Sequence, residues 1–368
     1  MTQTLLITWH RALLVLLLLV AGCDSNDTND PLAQIGAFDE WATDTPASQN
    51  LDAALLDRLT EAVQNGDFGA VHSVLIARNG VLVYEEYFRN ATADGLHQVY
   101  SVTKSVTSAL VGIAVAEGHI NGVQTPLLDF FPEYQADLEN TSDWKTQITL
   151  EDALNMQAGF QWDEWSTSYN SSSNPTAHLF RSDDWMKFML DLPMTSQPGT
   201  RFTYNSGVTM LLSGIIKQAT GQPTEAYARD KLFETLGIDS YSWQEGPHEI
   251  TNTGWGLFLT PRDMARFGHL YLMNGLWGDG QLIPRSWIDV LDTPASMLNA
   301  GTGYTYQWWL MASADAPQRF IPYAEGYGGQ FIFVIPALDM VVVSTARNFT
   351  ATTDIRAILN QYVFPAVN

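Results

Sequence analysis

The chain has a single cysteine, Cys23, so no intramolecular disulfide, thiolate metal cluster or other cysteine nucleophile can form. It is poor in positive charge: 18 Lys and Arg stand against 40 Asp and Glu, a formal net charge of −22. Such a surface repels nucleic acid and anionic headgroups, so no nucleic-acid partner is expected. The seven histidines include no His-Glu-x-x-His and no pair at ligand spacing, which disfavours a metal hydrolase; no metal or cofactor is expected. There is no Gly-x-Ser-x-Gly elbow, which disfavours a Ser-His-Asp enzyme and leaves His97, His119, His248 and His269 to structural roles. No internal repeat is present.

What is there is enough to build a large core. With 46% hydrophobic and 16% charged residues in 368, the chain should form one large domain or two intimately packed ones. The unbroken apolar run Ala12 to Gly22, preceded by Arg11, is too short to remain as a membrane span and reads as a signal peptide over residues 1–22. Its end, Val20-Ala21-Gly22-Cys23, resembles the lipobox of bacterial lipoproteins. That resemblance implies lipidation of Cys23, a membrane partner through the anchor, and a place in the bacterial cell envelope, on the periplasmic face. Residues 24–50, rich in Asp, Asn, Thr and Pro, read as a flexible tether, with the folded domain spanning 51–368.

Leu51 to Val63 carries apolar residues at helical spacing. Ser73 to Phe88 reads as two strands joined by Asn79-Gly80, a dipeptide suited to a tight turn with positive φ. Ser101 to Ala116 reads as a buried helix that Ser101 can cap. Strand signals are scarce from about 122 to 291. They return at Gln307 to Met311, Gly329 to Ile335 and Met340 to Thr345, before a final helix from about Thr353 to Val363. The expected architecture is therefore α/β, a sheet built from both chain ends with an inserted α-rich region over about 122–291.

Ser101-Val102-Thr103-Lys104 places a hydroxyl and an amine one helical turn apart, so a neutral lysine could take the serine's proton. The helix N-terminus adds N–H groups that favour a developing oxyanion. A second Ser-x-x-Lys, Ser142-Asp143-Trp144-Lys145, sits in a polar stretch without a following apolar helix and is assigned to surface structure. Trp162, Trp165, Tyr169, Trp185, Trp308 and Trp309 are candidates for an acyl pocket, with Trp162 to Trp165 the favoured loop. Asp163 and Glu164 read as exposed loop acids.

Three elements in order, Ser101-Val102-Thr103-Lys104, Tyr204-Asn205-Ser206-Gly207 and Gly326-Tyr327-Gly328-Gly329-Gln330, resemble the active-site motifs of the serine β-lactamase superfamily. More narrowly they resemble the class C β-lactamase-related hydrolases, which include family VIII carboxylesterases and 6-aminohexanoate-dimer hydrolases. Pro198-Gly199-Thr200, Gly254-Trp255-Gly256-Leu257 and Thr260-Pro261-Arg262-Asp263 match as well. The resemblance implies a β-lactamase/transpeptidase-like fold, an antiparallel sheet flanked by helices. It makes Ser101 the nucleophile, Lys104 and Tyr204 the proton carriers, and the N–H groups of Ser101 and Gln330 the oxyanion hole. A lysine beside Tyr204 could lower the phenol's pKa.

Ser206, Tyr327, Gly328, Gly329 and Trp162 are the expected substrate contacts, the two glycines allowing close approach to the backbone. Members directed at penicillins carry Asn at the position of Ser206 and Lys or His at that of Tyr327. Without a cation there, the carboxylate of a β-lactam loses its partner, which points toward small-molecule neutral esters or linear amides. The rival readings are a penicillin-recognising or cell-wall sensor that acylates without turnover, a weak β-lactamase or D,D-peptidase, and an inactive scaffold. Nothing in the sequence sets the oligomeric state.

Overall fold

A computed structural model describes residues 41–313, 316–350 and 354–368. The expected signal peptide, Cys23 and the first part of the tether lie outside the described residues. The rest of the tether does not: residues 41–50 belong to the fold. Trp41 is buried, its indole donates to Gly80 O at 2.9 Å, and Leu82 N donates to Ala42 O at 2.8 Å. One tryptophan in a polar stretch suffices to dock it, because a single large ring buries more apolar area than several small residues.

Helix α1 (Ala53–Asn65) starts where the Asp52 carboxylate accepts from Leu55 N at 3.2 Å, and ends at Gly66, whose φ of +86° suits only glycine well. Strands β1 (Val71–Arg78) and β2 (Val81–Tyr87) form the expected hairpin, with Asn79 and Gly80 both at positive φ. Helix α2 (Val102–Ala116) is buried along almost its whole length and packs on α3 (Ser206–Thr220). Between 122 and 291 the described strands are only two or three residues long, and α4 (Pro261–Leu272) is the main helix there that reaches the sheet.

The chain then returns to the sheet through β3 (Ser296–Asn299), β4 (Thr302–Thr305), β5 (Trp308–Ala312), β6 (Phe320–Gly326), β7 (Gln330–Ile335) and β8 (Met340–Ala346). The order is β2-β1-β8-β7-β6-β5-β4-β3, and every pair is antiparallel. The two chain ends meet where β1 pairs with β8, Val74 opposite Ser344 and Ile76 opposite Val342.

Alternation along these strands divides the core between the sheet's two faces. Leu75, Ile332 and Val343 join the cluster that includes α2, α3 and α4, whereas Val74, Phe331 and Val342 join the one that includes α1 and the C-terminal segment. Gly268 allows α4 to lie close: a Cβ there would stand 2.7 Å from both Ile332 and Val341 side chains. The C-terminal helix expected from Thr353 closes the chain as Leu359–Val363, wound with wider π-type turns, then Phe364–Ala366.

Candidate active site

Tyr100 has φ of +47°, a left-handed conformation unusual for an aromatic residue, and it turns the chain from the segment around His97 into α2. Ser101 follows in helical conformation. It does not cap α2 as expected; its side chain makes no cap bond and instead accepts from Lys104 Nζ at 3.0 Å. Lys104 is 1% exposed and donates also to Gly254 O at 2.6 Å. Burial pushes its pKa from 10.5 down to about 8, against an upward pull from the Glu164 carboxylate. About a tenth of such an amine is neutral at pH 7.

Tyr204 lies just before α3, with the Lys104 ammonium 5.0 Å from its ring centroid. The expected lowering of the phenol's pKa is not found. Burial and the negative charge of Glu164 raise it well above 10, and a hydrogen bond with Ser101 opposes them only in part. The ring stacks on Trp165 at 5.2 Å and on Trp309 at 5.6 Å between centroids.

Glu164 is not the exposed loop acid that its sequence setting suggests. It is 1% exposed, and each carboxylate oxygen takes two hydrogen bonds: Oε2 from Trp162 Nε1 at 2.6 Å and Ser206 N at 2.7 Å, Oε1 from Tyr169 Oη and Ser206 Oγ at 2.8 Å. Ser206 is the first residue of α3, so the buried charge also sits at a helix N-terminus, where the dipole favours an anion. The signal available in the sequence was Trp-x-Glu followed five residues later by Tyr, which is too common to read without the fold.

A cleft of about 400 Å³ opens at Ser101. Its lining includes the rings of Tyr100, Tyr169, Phe180, Trp255, Tyr327 and Phe349, together with Ser206, and among the described residues holds no carboxylate, lysine, arginine or histidine. Trp162 is absent from this lining; its indole is committed to Glu164, and the exposed ring of that loop is Trp165. Trp185 and Trp308 are fully buried core residues. Tyr327 donates to Phe349 O at 3.0 Å.

Gly328 and Gly329 have φ of +88° and +101°, but a Cβ at the first would meet the Phe349 ring at 2.5 Å and at the second Ile355 at 2.3 Å. The glycines thus make room for the protein's own side chains, which corrects the expectation that they clear space for substrate. Gln330 grips the peptide of Ala346 from both sides, Nε2 to O at 2.6 Å and N to Oε1 at 3.1 Å, and so fixes the start of β7.

The second Ser-x-x-Lys is structural, though not for the reason expected. Ser142 caps a short helix, Asp143–Gln147, by accepting from Lys145 N at 3.2 Å. Lys145 is buried, contrary to its assignment to the surface, because its ammonium reaches Leu190 O at 2.6 Å. Its Nζ is thereby turned to a backbone carbonyl, whereas that of Lys104 faces a serine.

The Beta-lactamase family matches residues 56–361, and the chain belongs to that family. It is a hydrolase of the β-lactamase fold. It is 24% identical over 361 residues to the 6-aminohexanoate-dimer hydrolase of Paenarthrobacter ureafaciens, covering 91% of this chain and 84% of that one. A family VIII carboxylesterase superposes with a TM-score of 0.67 at 16% identity, over 89% of this chain and 98% of the other. The octameric penicillin-binding protein homologue from Pyrococcus abyssi superposes with a TM-score of 0.66 at 17% identity, over 84% and 76%. Those two likenesses establish the fold.

Proposed function

We propose that the chain is a serine hydrolase that cleaves neutral esters or linear amides through an acyl-enzyme on Ser101. The observation that carries this reading is the Lys104 amine, buried, held near a pKa of about 8 and 3.0 Å from the Ser101 hydroxyl at the mouth of an aromatic cleft. Neutral Lys104 takes the proton of Ser101, whose oxygen bonds to the substrate carbonyl carbon. The carbonyl oxygen becomes the oxyanion, held by the N–H groups of Ser101 and Gln330 that the family resemblance assigns to it.

Tyr204, a neutral phenol at physiological pH, is suited to giving a proton and poorly suited to taking one, so Lys104 is the base and Tyr204 the donor to the leaving alcohol or amine. The tyrosinate formed recovers a proton from Lys104. Water then attacks the acyl carbon, losing its proton to the same pair, and the acid leaves with Ser101 restored.

The uncharged lining of the cleft supports a neutral substrate, since no charged side chain lines it among the described residues and Lys104 is already committed to Ser101 and Gly254 O. The names of the relatives, a 6-aminohexanoate-dimer hydrolase and a family VIII carboxylesterase, support linear amides and esters as the bonds cleaved. The signal-peptide-like run over residues 1–22, followed by Cys23, supports placing the enzyme at the cell envelope on a lipid anchor. Initial rates on a short-chain p-nitrophenyl ester test the reading: steady turnover that disappears in Ser101→Ala is expected. A single stoichiometric burst would favour a sensor, and equal rates in both proteins would remove Ser101 from the chemistry.

A further inference from the structure

The two segments that build the catalytic cleft also build a second one. Gln98, Tyr100, Ser101 and Phe349 line the first, whereas His97, Thr345 and Arg347 line a separate cleft of about 290 Å³ with His72, Arg89 and two parts of the following loop, residues 90–92 and 95–96; Asp94 of that loop does not line it. In a chain with 40 acids, none lines this second cleft among the described residues, and two arginines and two histidines do.

The two arginines are unpaired among the described residues. Arg89 and Arg347 have no carboxylate within ion-pair distance among the described residues; the Arg89 guanidinium makes one hydrogen bond, to Gly69 O at 3.0 Å, and that of Arg347 makes none. The His72 and His97 rings meet edge to face at 5.5 Å. His97 is fixed by Ala346 O at 3.3 Å, while His72 has no such tie. Arg89 and Asn90 are consecutive non-glycine residues at φ of +53° and +64°, a strained backbone of the kind that accumulates where a side chain has to be aimed. Like charges gathered without a counter-charge repel, and burial together with the two arginines holds His72 below its ordinary pKa. An anion removes that repulsion. The net charge of −22 does not prevent its approach, because charges farther than about 8–10 Å are screened at physiological salt.

We propose that this cleft binds a phosphate-type oxyanion, gripped by the guanidinium groups of Arg89 and Arg347 with the His72 imidazole as a further donor. The planar fork of an arginine fits two oxygens of a tetrahedral oxyanion, and the cleft has room for one such group with its first substituent. The site does not rest on the reaction assigned to Ser101.

Isothermal titration of the full-length protein with inorganic phosphate and, separately, with glycerol 3-phosphate tests this. Saturable binding at one site is expected, weakened about tenfold or more in Arg347→Gln and in Arg89→Gln. Both side chains are exposed, so the variants should unfold at the wild-type midpoint when phosphate is absent. Tighter binding of the monoester would identify an organic phosphate as the ligand; tighter binding of inorganic phosphate would identify the free ion. Failure of the wild type to bind either compound would overturn the proposal, as would binding to both variants with wild-type affinity.

Discussion

Glu164 holds Ser206 by both of its polar groups, the backbone N–H at 2.7 Å and the hydroxyl at 2.8 Å, and so ties a loop carboxylate to the first turn of α3, two residues from Tyr204. Its charge reaches both of the proposed proton carriers, pulling the pKa of Lys104 and of Tyr204 upward. Glu164→Gln keeps the shape but turns an amide donor toward groups that are themselves donors. A loss of about 1–3 kcal/mol of stability is expected by denaturant melting. The same change removes the upward pull on Lys104, so its pKa falls further and the acid limb of the kcat/KM profile moves to lower pH. A residue that acted by packing alone would lower the rate without moving that limb.

The wild-type pH profile follows from the same two groups. In the proposed mechanism Lys104 acts as base only when neutral, so kcat/KM for a neutral ester should rise with pH through an apparent pKa of about 8. Tyr204, raised well above 10, should add no inflection in the neutral range. A profile flat from pH 6 to 9 would remove Lys104 as the base. Lys104→Ala should lose activity by about 10²–10⁴-fold with the fold retained by circular dichroism.

Lys104 also loads the fold. Its pKa of 10.5 unfolded and about 8 folded means that the unfolded chain binds more protons between those values, so stability rises with pH from about 8 to 10.5. Below 8 the full cost, about 3 kcal/mol, is present. Lys104→Met should therefore be inactive yet more stable at pH 7, on the order of 2 kcal/mol after about 1 is subtracted for the partner lost by Gly254 O. Chemical denaturation at pH 7 and pH 10 checks this: the gain should shrink at the higher pH.

Ser142→Ala separates the two Ser-x-x-Lys motifs. It removes the cap on Lys145 N and should cost about 1 kcal/mol of stability while leaving kcat/KM unchanged. A large loss of rate would place chemistry at the wrong serine.

That Ser101, Lys104 and Tyr204 come together was legible because it follows from a one-turn spacing in the first pair and from ordered motifs for the third, both of which survive in a linear sequence. The hairpin at Asn79-Gly80 and strands β7 and β8 were legible for a similar reason, a turn dipeptide and dense β-branched or aromatic runs. Strands β4 and β6 were not: Gly303 and Pro322 interrupt their patterns, and pairing with neighbours supplies what propensity does not. Glu164 was misread because an acid in a polar loop ordinarily faces water, and its four donors arrive from Trp162, Tyr169 and α3 only once the chain has folded. Lys145 was misread likewise, since the carbonyl that receives its ammonium, Leu190 O, is 45 residues away.

The central claim is that Ser101 carries the acyl group. Rapid mixing with an activated ester, an acid quench before turnover is complete and peptide mapping of the trapped protein test it most directly. One acyl group on the peptide containing Ser101, absent from Ser101→Ala, is the predicted result. Acylation of any other side chain, or an equally labelled Ser101→Ala protein, would contradict it.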